Sequence, residues 1–148
     1  MKLLGQGVDA GPERDFLMAE LRGLDLFAPL TDEQLHKMLF FVKSIEFEDG
    51  ETVFEKGDPG EWFYLIHRGE VEIVEPGFFG ASVIARMGPG DFFGELALIL
   101  NQPRSAGVRC VGETACFALD RADLETLMER SPDIAAAIKK TAQARFGS

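Results

Sequence analysis

The chain is poor in the residues that build metal and redox centres: of its 148 residues only two are cysteine and two histidine. Cys110 and Cys116 with His36 and His67 cannot supply a zinc, haem or iron–sulfur site, so no metal is expected. Without secretion the two thiols are not expected to pair, and they read as small core residues on neighbouring strands. Long hydrophobic runs are also missing. No stretch approaches eighteen apolar residues, and Met1-Lys2-Leu3-Leu4-Gly5 is too short for a signal segment. The expectation is a soluble, cytoplasmic chain with no membrane contact. Positive charge is scarce, with 15 basic against 25 acidic residues and a net charge of −10. Such a surface repels phosphodiester backbones, so no direct nucleic-acid binding is expected. There is no low-complexity tract and no internal repeat.

What is present is globular: 46% hydrophobic residues, thirteen of them Phe, in a length that buries one good core. Residues 13 to 26 place Phe16, Leu17, Leu21 and Leu24 on one helical face. Thr31-Asp32-Glu33-Gln34 is a capping box that opens a second helix carrying Leu35, Met38 and Leu39. Residues 1–41 therefore read as an N-terminal helical segment. From Val42 the pattern changes to short apolar runs divided by turn residues, over 43–47, 52–55, 63–67, 71–75, 83–87, 105–110 and 114–119. Residues 42–120 are thus predicted to be roughly eight antiparallel strands, a jelly-roll-like β-roll, in a mainly β fold with flanking helices. Asp120 caps a helix over 121–130, and Ser131-Pro132-Asp133 starts another, giving C-terminal helices over 121–148. On the last one, Ile134, Ile138, Thr141, Ala142 and Arg145 share a face that must cover something: the roll, or a second copy of the chain in a homodimer through the terminal helices.

Two aromatic groups stand out. Trp62-Phe63-Tyr64 sits in a strand and reads as core and rim packing rather than a stacking platform for bases. Phe78-Phe79, at a glycine-flanked hairpin tip, is either an exposed partner contact or folded back on the surface.

Residues 93 to 108 carry the chemistry. Gly94 lets the backbone approach a ligand closely, and the Glu-Leu-Ala-Leu-Ile run after it forms a short helix whose first N–H groups attract phosphate. Pro103 ends that helix and returns the chain toward the same pocket. Arg104 can then hold two phosphate oxygens, a charge-assisted contact of about 1.5–3 kcal/mol, with the Ser105 hydroxyl beside it. Glu95 would repel a phosphate, but it can accept from a sugar 2′-hydroxyl.

This run resembles the phosphate-binding cassette of the cyclic nucleotide-binding domain family, F-G-E-L-A-L, a spacer, then P-R-[AST]-A-x-V. Gly57-Asp58, Tyr64-Leu65-Ile66, Gly69-Glu70-Val71 and Gly90-Asp91-Phe92 extend the similarity, to about residues 24–146. The resemblance implies that the backbone of Gly94, Leu96 and Ala97, with Glu95, Arg104, Ser105 and Ala106, holds the cyclic phosphate and ribose. Val83, Ile84 and Met87, on the strand before the cassette, are expected to line the apolar side of the purine pocket. The last helix is implied as a lid, with Ile138 in apolar contact and Thr141 or Arg145 meeting the base. It further implies a non-enzymatic regulatory sensor without catalytic residues or cofactor, taking cAMP as ligand, with cGMP as the alternative, and moving its terminal helices allosterically to signal to an effector protein or fused domain. Ser105 leans toward cAMP. No helix-turn-helix, kinase or channel segment follows residue 146, so action in trans or as one part of a longer polypeptide is expected. The alternatives are a ligand-free β-roll interaction scaffold, which intact Glu95 and Arg104 argue against, and an enzyme, for which neither histidine is suitably placed. Metal-dependent jelly-roll enzymes of the cupin type need a histidine cluster that is absent.

Overall fold

Four α-helices frame the sheet, each with a local reason for where it starts. The computed structural model describes residues 1–148 except Asp9, Leu100, Asn101, Gly147 and Ser148, and does not describe the side chains of Glu95, Leu96, Arg145 and Phe146. Helix α1 (Gly11–Arg22) opens at Gly11-Pro12 and stops at Gly23, whose N–H turns back to the carbonyls of Glu20 and Leu21. It is shorter at its C-terminal end than the apolar spacing implies, because a glycine holds helical geometry poorly. Leu24 and Leu26 remain buried in the following turn. Helix α2 (Asp32–Leu39) has the expected capping box, with Gln34 N–H donating to Thr31 Oγ1 at 3.2 Å and Thr31 N–H donating to Gln34 Oε1 at 2.9 Å. Helix α3 (Arg121–Arg130) is capped by Asp120, whose carboxylate accepts from Asp123 N–H at 2.7 Å, and α4 spans Pro132–Phe146.

The strands are β1 (Lys2–Gln6), β2 (Lys43–Phe47), β3 (Thr52–Phe54), β4 (Trp62–Gly77), β5 (Gly80–Met87), β6 (Phe92–Phe93) and β7 (Gly107–Asp120). Every pairing is antiparallel, in the order β1-β2-β7-β4-β5, with β3 on β7 and β6 on β4. Seven strands stand where about eight were expected: two turn-like breaks are bulges, which joins four expected runs into β4 and β7, while β1 and β6 are additional. The register shifts around Arg68 while β4 runs on through Gly69 (φ +96°), where a Cβ would lie 2.6 Å from the Glu113 carbonyl oxygen. Likewise β7 continues through Gly112 (φ +77°). Two strands gave no sequence signal: β1 has all five side chains exposed and hence no alternation to read, and β6 is two residues long.

Alternation along β4 and β7 divides the interior in two. Phe63, Leu65, Phe117 and Leu119 face the helices, joining Leu17, Leu35, Met38, Leu124 and Ile138 in one cluster. Tyr64, Ile66, Cys116 and Ala118 face the inside of the roll, with Ile45, Phe47, Val71, Phe93, Val108 and Cys110. Both cysteines are buried there as free thiols. The β4–β5 hairpin projects outward, leaving Phe78 and Phe79 98% and 99% exposed. Among the described residues no helix is long and apolar enough to cross a membrane, and no cluster of three metal-ligating side chains occurs.

Candidate anion-binding site

The segment after β6 makes a single 3-10 turn, Glu95–Leu98. Four residues give a weak dipole, so an anion here depends mainly on Arg104. That residue is clamped by its own backbone: its N–H donates to the Asp58 carbonyl at 2.8 Å, and its carbonyl accepts from Gly57 N–H at 2.8 Å. The Asp58 carboxylate in turn accepts from Glu55 N–H at 2.9 Å, closing the loop that holds the clamp. Next to it, Pro59 bridges Pro103. The close approach requires Gly60, where a Cβ would stand 2.7 Å from the Gln102 carbonyl oxygen.

The Arg104 guanidinium lies against the Phe54 ring, 4.1 Å from its centroid, and Nη2 donates to the Trp62 carbonyl at 2.6 Å. Its Nε is buried without a hydrogen-bond partner. Burial pulls the Arg104 pKa below its usual value, against the pull of Tyr64 and Asp58, yet arginine remains a cation. Among the described side chains no carboxylate lies within ion-pair distance of it. An unsatisfied buried donor costs about 1–3 kcal/mol, so an anion that accepts from Nε would recover that cost. Gly94 (φ +83°) permits the arrangement, since a Cβ there would sit 2.6 Å from both Arg104 Nη1 and the Trp62 carbonyl oxygen.

Arg104 borders a cavity of about 350 Å³, large enough for a small organic ligand. Ile73, Met87, Phe93, Phe54 and Val108 form its apolar wall, and Gly94, Ala97, Gln102, Ser105 and Ala106 the cassette side. The structure thus brings together Met87, Gly94, Ala97, Arg104, Ser105 and Ala106 of the expected site. The N–H of Ala97 donates to the Gly94 carbonyl at 3.0 Å, so Ala97 lines the cavity instead of offering a free donor. Val83 and Ile84 are not part of the lining: they lie farther out along the hairpin, 46% and 59% exposed. Ile138 is likewise elsewhere, 1% exposed within the helical cluster, and Thr141 is half-buried on α4 and outside the lining. The side chains of Glu95, Leu96 and Arg145 fall outside the described residues. Sequence reasoning missed Phe54 and the Trp62 carbonyl, the latter a backbone group that no residue identity signals.

A larger cleft of about 490 Å³ lies beside β1 and β2, but its cations Lys2, Arg68 and the Met1 ammonium are outnumbered by Glu46, Glu48, Glu51 and Glu113, and Met1 and Arg68 are paired with Glu51 and Glu46. On the outer face of the roll two other arginines are neutralised. Glu72, with a side chain only 10% exposed, accepts from Arg86 Nη2 at 3.1 Å and Arg109 Nη2 at 2.8 Å, and Arg86 also reaches Glu70 at 3.3 Å. The histidines sit apart from the cavity. His67 stacks on Phe117 and meets Phe16 at a tilt of 46°, and His36 accepts from Arg14 Nε at 3.4 Å.

An antiparallel roll with a half-buried arginine at the edge of an apolar cavity is a frame suited to a small anion. The profile of the cyclic nucleotide-binding domain matches residues 44–131, and the chain belongs to that family. A protein of Rhodopseudomonas palustris named for a potassium channel is 36% identical over 137 residues, covering 90% of this chain and 33% of that protein. The cAMP-dependent protein kinase regulatory subunit of Dictyostelium discoideum is 40% identical over 84 residues, 54% of this chain and 26% of that one. The chain therefore spans a third or less of these curated relatives. Among solved structures, the regulatory domain of Toxoplasma gondii cAMP-dependent protein kinase with cAMP aligns with a TM-score of 0.73 at 28% identity, covering 81% of this chain and 46% of that one.

Proposed function

We propose that this domain binds a cyclic purine mononucleotide, cAMP in the first place, and converts occupancy into movement of its terminal helices for an effector protein or a fused domain. The observation that carries the reading is Arg104: a half-buried cation without a described carboxylate partner, its buried Nε unsatisfied, at the edge of an apolar cavity. The cyclic phosphate takes the guanidinium, with Ser105 and the Gly94 turn beside it. Glu95 accepts from the ribose hydroxyl, and the base lies against Met87 and Ile73. Similarity to a regulatory domain solved with cAMP supports the adenine nucleotide. A cGMP-dependent protein kinase of Plasmodium berghei, 30% identical over 123 residues, keeps cGMP as the second candidate. Because Ile138 is committed to the helical core, lid contact with the base falls to Thr141 and Arg145. A ligand moves the helices only by binding one arrangement more tightly than another.

Calorimetric titration of the protein with cAMP, cGMP and 5′-AMP tests this, with Arg104→Ala alongside. Saturable binding of a cyclic nucleotide that the variant loses is the expected result, and the relative affinities give the base preference. No binding of any of the three would leave the roll as an interaction scaffold.

A further inference from the structure

Lys43 on β2 has a side chain only 17% exposed and three partners. Its Nζ lies 3.0 Å from Asp123 Oδ2, 3.5 Å from Asp120 Oδ2 and 4.8 Å from the centroid of the Trp62 ring. Asp120 is the N-cap of α3, and Asp123 donates its backbone N–H to that cap. Trp62 is the first residue of β4, paired with Asp120, and its indole stacks on Tyr64 at an interplanar angle of 21°. The carbonyl of this same Trp62 receives Arg104 Nη2.

We propose that Lys43 is a positioning residue for the anion site, fixing through the Trp62 indole the carbonyl that orients Arg104 and tying it through Asp120 and Asp123 to the start of α3; this rests on the reading of Arg104 as the nucleotide-binding side chain. A peptide at a strand end tilts more readily than one within the ladder. The indole limits that tilt because Tyr64 covers it on the roll side and Lys43 holds it as a cation over an aromatic ring. The guanidinium is planar, so the direction of the Nη2 bond sets where Nε and Nη1 point. With Nη2 held by Trp62, the Nε edge stays available for an anion. The same lysine is shared with two carboxylates in the first turn of α3. A shift of that turn therefore changes the restraint on Trp62, and ligand capture at Arg104 bears back on α3 by an equal coupling free energy.

Trp62 is the only tryptophan in the chain, so emission excited beyond the tyrosine band comes from this residue. Affinity for cAMP and cGMP would be measured by calorimetry and by Trp62 emission in the wild type, Lys43→Met, Lys43→Arg and Asp123→Asn, with a thermal melt of each. Lys43→Met keeps the aliphatic stem and loses the charge. It should weaken nucleotide binding about 5- to 10-fold and shrink the ligand-induced emission change, while Lys43→Arg restores both. Lys43→Met binding within about two-fold of wild type, with the same emission change, would overturn the proposal. Should Lys43→Met fail to fold, Asp123→Asn decides: unchanged affinity and unchanged emission overturn the relay, and a smaller loss of both supports it. A wild type that binds neither nucleotide removes the Arg104 reading itself, an outcome distinct from a relay failure in a protein that binds.

Discussion

The roll carries two arginine groups built on opposite principles. On its outer face Arg86 and Arg109 share the nearly buried Glu72, so their charge is spent on holding β4, β5 and β7 together. On its inner side Arg104 meets a carbonyl oxygen and the face of Phe54, partners that orient a cation without cancelling it. A carboxylate at ion-pair distance makes an arginine structural, whereas a carbonyl and a ring leave most of its field available to a ligand. Arg86 and Arg109 sit on β5 and β7, whereas Arg104 lies in the loop before β7. Val108 lines the cavity and Arg109 points away from it; Met87 lines it and Arg86 does not.

Substitutions can set these groups against each other. The largest effect is expected from Gly94→Ala, because a Cβ would press on both Arg104 Nη1 and the Trp62 carbonyl at a positive φ. Cyclic nucleotide binding should disappear in calorimetry, and the strained backbone should cost about 1–3 kcal/mol in denaturant unfolding. Arg104→Ala comes next and should separate the two properties. Affinity falls about 100-fold or more, since at least one charge-assisted contact and its geometry are lost, yet the melting temperature changes little, because removing an unsatisfied buried donor offsets the loss of the Trp62 and Phe54 contacts. Glu72→Gln should do the reverse. With Arg86 left to Glu70 alone and Arg109 deprived of its carboxylate, stability falls by about 1–2 kcal/mol and is partly recovered at high salt, while nucleotide affinity is unchanged. If Glu72→Gln weakened binding as much as Arg104→Ala, the division into structural and ligand-facing arginines would fail.

The smallest effect, at its onset near pH 9, is alkaline. Burial pushes Tyr64 up to about 12, against the lowering pull of Arg104, and burial with the neighbouring Cys110 pushes Cys116 up to about 12. Burial by itself lowers Lys43, but Asp123 and Asp120 bring it above its usual value. All three are raised in the folded protein, so each contributes stability that is present below its ordinary pKa and lost as pH climbs through the folded value. Stability should therefore decline from about pH 9 upward and most steeply toward pH 12. Tyr64 is the only tyrosine, so ultraviolet absorbance of its phenolate follows this directly. In Arg104→Ala that transition should move still higher, because the nearby cation that favours the phenolate is gone.

Much of this was readable where one residue dictates one local geometry. The capping box at Thr31 and Gln34 and the cap at Asp120 formed as their side chains predict, and Arg104 with Gly94 and Ser105 came together at the cavity as the cassette spacing implies. The failures are also physical. Gly69 and Gly112 look like chain reversals but serve as bulges, because β7 runs beside β4 on both sides of them. Val83 and Ile84 have the composition of a pocket wall and lie on an edge strand that extends past the pocket, a matter of strand length that composition does not encode. Ile138 has the right helical spacing for a lid, but periodicity identifies a buried face without identifying what buries it. Lys43 gave no signal at all, since its three partners are distant in sequence.

The placement of β7 bears on how the protein is made. It pairs with β2, β3 and β4, so the β1–β2, β4–β5 and β4–β6 pairings are the only strand contacts of the described sheet that can form before residues 107–120 leave the ribosome. Arg104 is translated just ahead of that strand. Its carbonyl partner on Trp62 has by then been waiting for some forty residues, about two to eight seconds at ordinary elongation rates. During that interval Tyr64 and Ile66 have no roll to enclose them, and the apolar surface they bury in the finished fold stays uncovered.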